Sequence, residues 1–347
     1  MSDILFQTGF DYFTTVLRVF PKTTISSGCS VTIGAFGRNS TNGMRSSLNT
    51  DSSGSAYAIR PFGPLTEVSV AFAVNINSFP STGQTALLQL LDANGTETLQ
   101  LQLTPAGLFE IWRGAGAQRF QISVTSSTGI QTGAFFYIEW YITVSNTVGA
   151  TIVRVNEIEV INQTGLDTLF NLSTVVAAAI GLRHYSANNS QTADYDDVII
   201  RTDGFGGDCQ IFTFYPTAVG STDEWTAVGA TTTAQCVDEE DEANDDTDYI
   251  VASTNSFISL WDFDDVQSGY DIHGVAYNLR NKKDSSGTGQ IAPVALLGTT
   301  TYTGATIAAS WDDDYLYAQV VQDTSPATGI TWSLTEFADG EYGVKLL

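Results

Sequence analysis

The strictest constraint in this chain is the run from Phe135 to Ile161. Between Tyr137 and Val144 the residues alternate without a break. Ile138, Trp140, Ile142 and Val144 share one side of an extended backbone, and Tyr137, Glu139, Tyr141 and Thr143 share the other. Two further runs, from Thr151 to Val155 and from Ile158 to Ile161, are separated only by Asn156 and Glu157. Asn tolerates the positive φ that a two-residue hairpin turn requires. The segment predicts a strand followed by a hairpin, with Trp140 facing inward between two sheets.

The same pattern recurs along the chain. Val68, Val70, Phe72, Val74 and Ile76 alternate cleanly, and two apolar runs, from Leu87 to Leu91 and from Thr98 to Leu103, flank the turn residues Asp92, Ala93, Asn94 and Gly95. Strand-like runs follow from Leu108 to Trp112, Phe120 to Val124, Val175 to Leu182 and Tyr195 to Ile200, and Phe10 to Phe20 reads as a first strand. Gly34 to Leu48 reads as a loop. No segment longer than about ten residues keeps a helical period. The chain is therefore expected to be all-β, with the rhythm of a sandwich or jelly roll.

At 347 residues the chain exceeds one small core and fits two domains. Gly204, Phe205, Gly206 and Gly207 predict a hinge that separates residues 1–205 from residues 206–347. The second part holds seven strand-like segments, beginning with Ile211 to Tyr215 and ending with Tyr342 to Leu346, enough for a second β-sandwich.

Charge is divided unevenly. Up to Phe205 there are 15 acids and 10 bases; from Gly206 onward there are 23 acids and 4 bases, within a net charge of −24. A field of this sign repels phosphates, which argues against nucleic acid. Met1 to Phe10 carries Asp3 and no Lys or Arg before its apolar residues, unlike a secretory signal. The longest apolar stretch, near Val175 to Leu182, is too short to span a bilayer. The expectation is a soluble product made in the cytoplasm. Cys29, Cys209 and Cys236 match no metal spacing and read as thiols, with a Cys209 to Cys236 bridge as the alternative.

Several short motifs resemble, in their order and spacing, the virion proteins of tailed bacteriophages that carry a laminin-G-like, concanavalin A-like jelly roll. In the first part these are Phe10 and Asp11, Gly37 and Arg38, the Trp140 strand with its Val153 to Val160 hairpin, and Tyr195, Asp196, Asp197 and Val198. In the second they are Val237 to Glu239 followed by Asp246 to Val251, Ile272 to Val275 leading to Arg280 to Asp284, Pro326 to Trp332, and Glu341 to Val344. The resemblance covers nearly the whole chain. It implies a concanavalin A-like jelly roll first, and a place on the surface of a phage particle as a head decoration or a tail or fibre appendage. It further implies other virion proteins of capsid or tail as partners, and homo-oligomers, a trimer being the first choice.

Candidate chemistry is sparse. The resemblance to concanavalin A-like domains, which often bind Ca²⁺ at the rim, implies that Asp194, Asp196 and Asp197 could converge there with backbone carbonyls, and a sugar could dock at the same place; the alternative is that one anchors a loop and the others are solvated. Between Asp238 and Asp248, 8 of 11 residues are acids, which makes a solvated loop or a Ca²⁺ site without dedicated calcium-loop spacing. Asp262, Asp264 and Asp265, and Asp312 to Asp314, read as exposed acidic turns. Glu157 and Glu159 are the one passable carboxylate pair for glycoside hydrolysis, but they lie at a hairpin tip. His184 and His273 have no Cys or Ser motif beside them, and there is no phosphate loop, dinucleotide glycine pattern or zinc motif. The sequence reading is thus a virion structural protein with no catalytic role and no required cofactor, Ca²⁺ being the only candidate ion. The runner-up is a carbohydrate-binding receptor protein of the phage tail that contacts host surface glycans.

Overall fold

A computed structural model of the protein describes residues 3–11, 13, 15–50, 53–185, 189–238, 247–283, 289–308 and 315–347. The chain divides into two compact units, one of Leu5–Phe212 and one of Thr213–Leu347 with Met1–Ile4. The break therefore falls after Phe212 and not at the expected hinge beside Gly206. The reason is local: Gly206, Gly207 and Ile211 donate backbone hydrogen bonds to carboxylates of the first unit.

The strands of the first unit are β1 (Ile4–Thr8), β2 (Lys22–Ile25), β3 (Ser30–Gly34), β4 (Gly43–Leu48), β5 (Ser55–Leu65), β6 (Glu67–Ile76), β7 (Gln84–Leu91), β8 (Glu97–Leu103), β9 (Phe109–Arg113), β10 (Phe120–Gln121), β11 (Phe135–Thr143), β12 (Gly149–Val155), β13 (Ile158–Leu166), β14 (Val175–Tyr185) and β15 (Gln191–Arg201). An eight-stranded sheet runs β13-β12-β11-β6-β15-β4-β3, with β1 also on β15; a seven-stranded sheet runs β10-β9-β8-β7-β14-β5-β2. β11 lies antiparallel between β6 and β12, and β14 antiparallel between β5 and β7. Strands distant in sequence thus sit side by side, as in a jelly-roll sandwich.

The core lies between the two sheets, where the alternation places it. Val68, Val70, Phe72, Val74 and Ile76 are all buried, as are Ile138, Trp140 and Ile142 on the neighbouring strand. The Trp140 indole N–H donates to Thr151 Oγ1 at 2.9 Å, so its one polar atom is satisfied inside. Asn156 and Glu157 both have positive φ, 47° and 67°, the left-handed pair of a tight hairpin turn. Polar side chains also cross between the sheets. Ser46 Oγ donates to Ala56 O at 2.5 Å and accepts from Leu182 N at 3.0 Å, and Tyr195 Oη donates to Leu87 O at 3.2 Å.

Three expectations change. The segment from Phe10 to Phe20 is not a strand: Phe10 has φ 64°, and a single helical turn, Val16–Val19, follows. Val16, Val19 and Phe20 are buried, a spacing of three and four that suits a turn of helix better than a strand. The expected loop from Gly34 to Leu48 contains β4 and the end of β3, its strand signal hidden because the small polar Ser46 takes a core position. Phe120 to Val124 shortens to the two residues of β10.

The second unit is built around Glu341–Leu346, which lies antiparallel between Ile258–Phe263 and Gln290–Leu297 in a six-stranded sheet. Two ribbons pair Thr226–Val228 with Tyr249–Val251, and Val275–Asn281 with Leu316–Gln322. Its core gathers Trp261, Ile291 and Val344 in one cluster and Trp332, Phe337 and Tyr342 in another. The short helix Leu334–Ala338 begins at Ser333, whose hydroxyl accepts from Glu336 N. The segment from Ile211 to Tyr215, expected as a strand, is not one; the first strand of this unit is Pro216–Asp223.

Candidate functional site

The three aspartates singled out from the sequence lie on β15, and each already has a partner within the unit. Asp194 takes a two-pronged ion pair from Arg45, at 2.6 and 2.8 Å, across the β15–β4 pairing. A bulge between Asp196 and Ile199 turns the strand, and Asp197 sits at φ 48°. Asp196 Oδ2 accepts from Arg38 N at 2.7 Å and from Thr41 Oγ1 at 3.1 Å. Asp197 Oδ1 accepts from Ile211 N at 2.8 Å, and its Oδ2 lies 2.8 Å from the Arg38 guanidinium. Burial holds both carboxyls above the ordinary range; the Asp197 charge adds to it at Asp196, while at Asp197 the Ile211 N–H and Arg38 work against it. The carboxylates do not converge on one point. Among the described residues no group of three or more His, Cys, Asp or Glu is placed to hold a metal ion.

The same face of the eight-stranded sheet anchors the chain as it leaves β15. Glu139 is fully buried on β11, and its Oε1 accepts from Gly206 N and Gly207 N, both at 2.9 Å. Arg38 donates to Asp208 at 2.6 Å and to Cys209 O at 2.5 Å. Burial pushes the Cys209 thiol up to about 11, so it is a protonated, unreactive group. Burial likewise raises Asp11, whose carboxylate accepts from Asn42 N, to about 6.

The outer face of the seven-stranded sheet is different. On β8, Leu99, Leu101 and Leu103 face the core, which turns Gln100 and Gln102 outward. Pairing registers align β14, β7, β8 and β9 so that Ala179, Gln89, Gln100 and Trp112 form one transverse row. A second row holds Arg183, Ala86, Gln102 and Glu110. Tyr57, Ile59, Leu91, Ala177 and Ala179 make an apolar cluster beside them. The Gly116–Gln118 turn brings Arg119 over the polar half, its guanidinium carbon 3.7 Å from the Tyr185 ring centre and 4.8 Å from that of Trp112.

Hydrogen bonds in this cluster are only partly complete. Tyr185 Oη donates to Glu97 Oε2 at 2.5 Å, and Glu97 also pairs with Arg183. Glu110 accepts from Trp112 Nε1 and from Thr125 Oγ1, each at 2.9 Å. Gln102 donates to Gln100 Oε1 at 3.1 Å, and Gln100 donates to Gly114 O at 2.6 Å. Three buried atoms have no hydrogen-bond partner among the described residues: Gln89 Nε2, Gln102 Oε1 and one terminal nitrogen of Arg119. Gln89 and Gln102 are 0% exposed, so these are groups withdrawn from bulk water. Burial raises the Tyr185 phenol to about 12, so at neutral pH it keeps its proton and donates. A protonated phenol beside a carboxylate and two guanidiniums can hold sugar hydroxyls and can move a proton.

The other candidates stand apart from this cluster. Glu157 and Glu159 are exposed at the hairpin tip, where Glu157 accepts from Asp208 N and Glu159 from Asn162. His184 is buried, with Nε2 2.9 Å from Gln191 Oε1. Most of the acidic run from Asp238 to Asp248, and Asp312 to Asp314, lie outside the described residues. All three cysteines are free. No helix among the described residues is long and apolar enough to cross a membrane.

No family model and no curated protein sequence matches the chain. It is similar in structure to an endo-β-1,4-glucuronan lyase from the fungus Trichoderma reesei, at 12% identity and a TM-score of 0.46, over 57% of this chain and 94% of that one. It is also similar to the cellulose-induced protein Cip1, at 15% identity and 0.47, over 58% and 100%. The alginate lyase AlgAT5 follows at 9% and 0.37, over 56% and 97%. The sheets themselves show the all-β sandwich, and likeness at this level adds nothing finer. One expectation is nevertheless corrected. The sequence reading assigns no catalytic role, whereas several of the solved structures similar to this chain are polysaccharide lyases. Acid–base chemistry can be assembled from residues spread over a sheet face, so the lack of nucleophile, phosphate and zinc motifs does not count against an enzyme.

Proposed function

We propose that the Leu5–Phe212 unit binds a polysaccharide on the outer face of its seven-stranded sheet. The observation that carries this reading is the set of buried hydrogen-bonding atoms without partners, on Gln89, Gln102 and Arg119, beside an apolar cluster. An unsatisfied buried polar atom costs about 1–3 kcal/mol, so leaving Gln89, Gln102 and Arg119 short of partners forgoes stability for some other end. Sugars match such a surface, since a pyranose ring has apolar C–H faces and a rim of hydroxyls that both donate and accept. Together with the sequence resemblance to virion proteins, the chain becomes a surface component of a phage particle that meets host glycans and assembles with other virion proteins.

The test is affinity electrophoresis of the full chain through gels containing single polysaccharides, with Gln89→Leu and Trp112→Ala as variants. Retardation of the native chain by at least one polymer, lost in both variants, is the expected result. Equal retardation of all three proteins would remove this face from the reading. Gold-labelled antibody on intact particles tests the virion setting, and particles that never carry the label would overturn it.

A further inference from the structure

The side chain of Arg119 carries information about the ligand beyond its being a sugar. Its guanidinium carbon lies 3.7 Å from the Tyr185 ring centre and 4.8 Å from that of Trp112, so the cation is packed against two aromatic side chains. One of its terminal nitrogens is buried without a partner among the described residues. No carboxylate among the described residues forms an ion pair with it. Glu97 is engaged by Arg183 and Tyr185, and Glu110 by Trp112 and Thr125. Burial alone works against the charge of Arg119, with only the Tyr185 hydroxyl to offset it.

Building on the polysaccharide-binding reading, we infer that Arg119 receives the carboxylate of an acidic sugar, so that the ligand is a uronic-acid-containing polysaccharide. A guanidinium packed against aromatic rings, with a terminal nitrogen that no described residue engages, fits a planar, two-oxygen anion, because two parallel N–H bonds can meet two oxygens. A neutral hydroxyl would leave the cation uncompensated in a site shielded from water. The Tyr185 phenol and the Gln89 amide stand near enough to each other to serve adjoining hydroxyls of the same residue, their oxygens being 3.5 Å apart. Glu110 faces the same sheet and repels anions, and its three hydrogen-bond donors, Gln84, Trp112 and Thr125, spread that charge.

Titration calorimetry of the full chain with sodium polyglucuronate, polygalacturonate and hyaluronate, and with the carboxyl-reduced form of each, tests this. At least one acidic polymer should bind roughly tenfold tighter than its reduced form, the loss of one charge-assisted pair. Arg119→Gln should erase that difference, and Arg119→Lys should restore only part of it, since an ammonium lacks the planar fork. Circular dichroism and the thermal midpoint of both variants keep a folding defect distinct from a binding one. Equal binding of acidic and reduced polymers would overturn the inference and leave the polysaccharide reading standing. Binding of neither, with neutral glucans and xylans also inert, would overturn both.

Discussion

The two outer faces of the first unit both bury polar side chains, and they spend them on different partners. On the eight-stranded sheet Glu139, Asp196 and Asp197 accept hydrogen bonds from Gly206, Gly207, Arg38, Thr41 and Ile211, all within the unit. Buried atoms there also lack hydrogen-bond partners among the described residues: Arg38 Nε, Ser69 Oγ, Asn75 Oδ1, Tyr137 Oη, Glu139 Oε2 and Asp197 Oδ2. On the seven-stranded sheet Gln89, Gln102 and Arg119 keep hydrogen-bonding capacity that no described neighbour uses. What separates the faces is what the acids hold: on the acidic face they fasten the unit's own strap, residues 206–211, and on the other Glu97 and Glu110 are met by side chains of the sheet and its loops.

The contrast can be broken by experiment, most strongly at Glu139. Glu139→Ala leaves two half-buried N–H groups without an acceptor and should cost about 2 kcal/mol in urea unfolding. Polysaccharide affinity should be untouched. Loss of affinity in step with stability would mean that the two faces act as one system. Gln89→Leu should do the reverse: affinity falls at least tenfold, and stability holds or rises by about 1 kcal/mol, since an unsatisfied amide gives way to an apolar side chain.

Proton linkage gives a smaller effect. Asp11 is held at about 6 against an ordinary 3.8, so between those values the native unit binds a proton that the unfolded chain has released. Stability from this group is greatest below the lower value and falls as pH climbs through the upper one. The thermal midpoint should therefore be higher at pH 5 than at pH 7, and Asp11→Asn should remove part of that difference. An unchanged slope in the variant would assign the effect to other carboxyls. Smallest of all is Glu157→Gln at the exposed hairpin tip, expected within about 0.5 kcal/mol in unfolding and neutral in polysaccharide binding.

The fold was readable from the sequence wherever one strand carried its own signal. Trp140, its alternating neighbours and the Asn156–Glu157 turn needed no knowledge of partners. Ser46, a polar residue in a core position, concealed β4, and the spacing of Val16, Val19 and Phe20 marked a helical turn within an apparent strand. The candidate site was harder for a different reason. Gln100 and Gln102 alternate with leucines, and Glu110 precedes Trp112, yet neither pair is distinctive until long-range pairing sets β14 and β7 beside them. Asp194, Asp196 and Asp197 drew attention through density alone, and density did not reveal that Arg45, Arg38 and Thr41 would answer them.

The grip of Glu139, Arg38 and Asp197 on residues 206–211 bears on how such a chain can be inherited. Glycines in sequence suggest a module boundary, and a crossover there looks like a clean cut between domains. A crossover at Gly206 would leave the recipient with a buried carboxylate and no amides to meet it, whereas one after Phe212 would transmit the strap with the sandwich it fastens. Selection among shuffled genes should accordingly favour exchanges a few codons beyond the glycine pair.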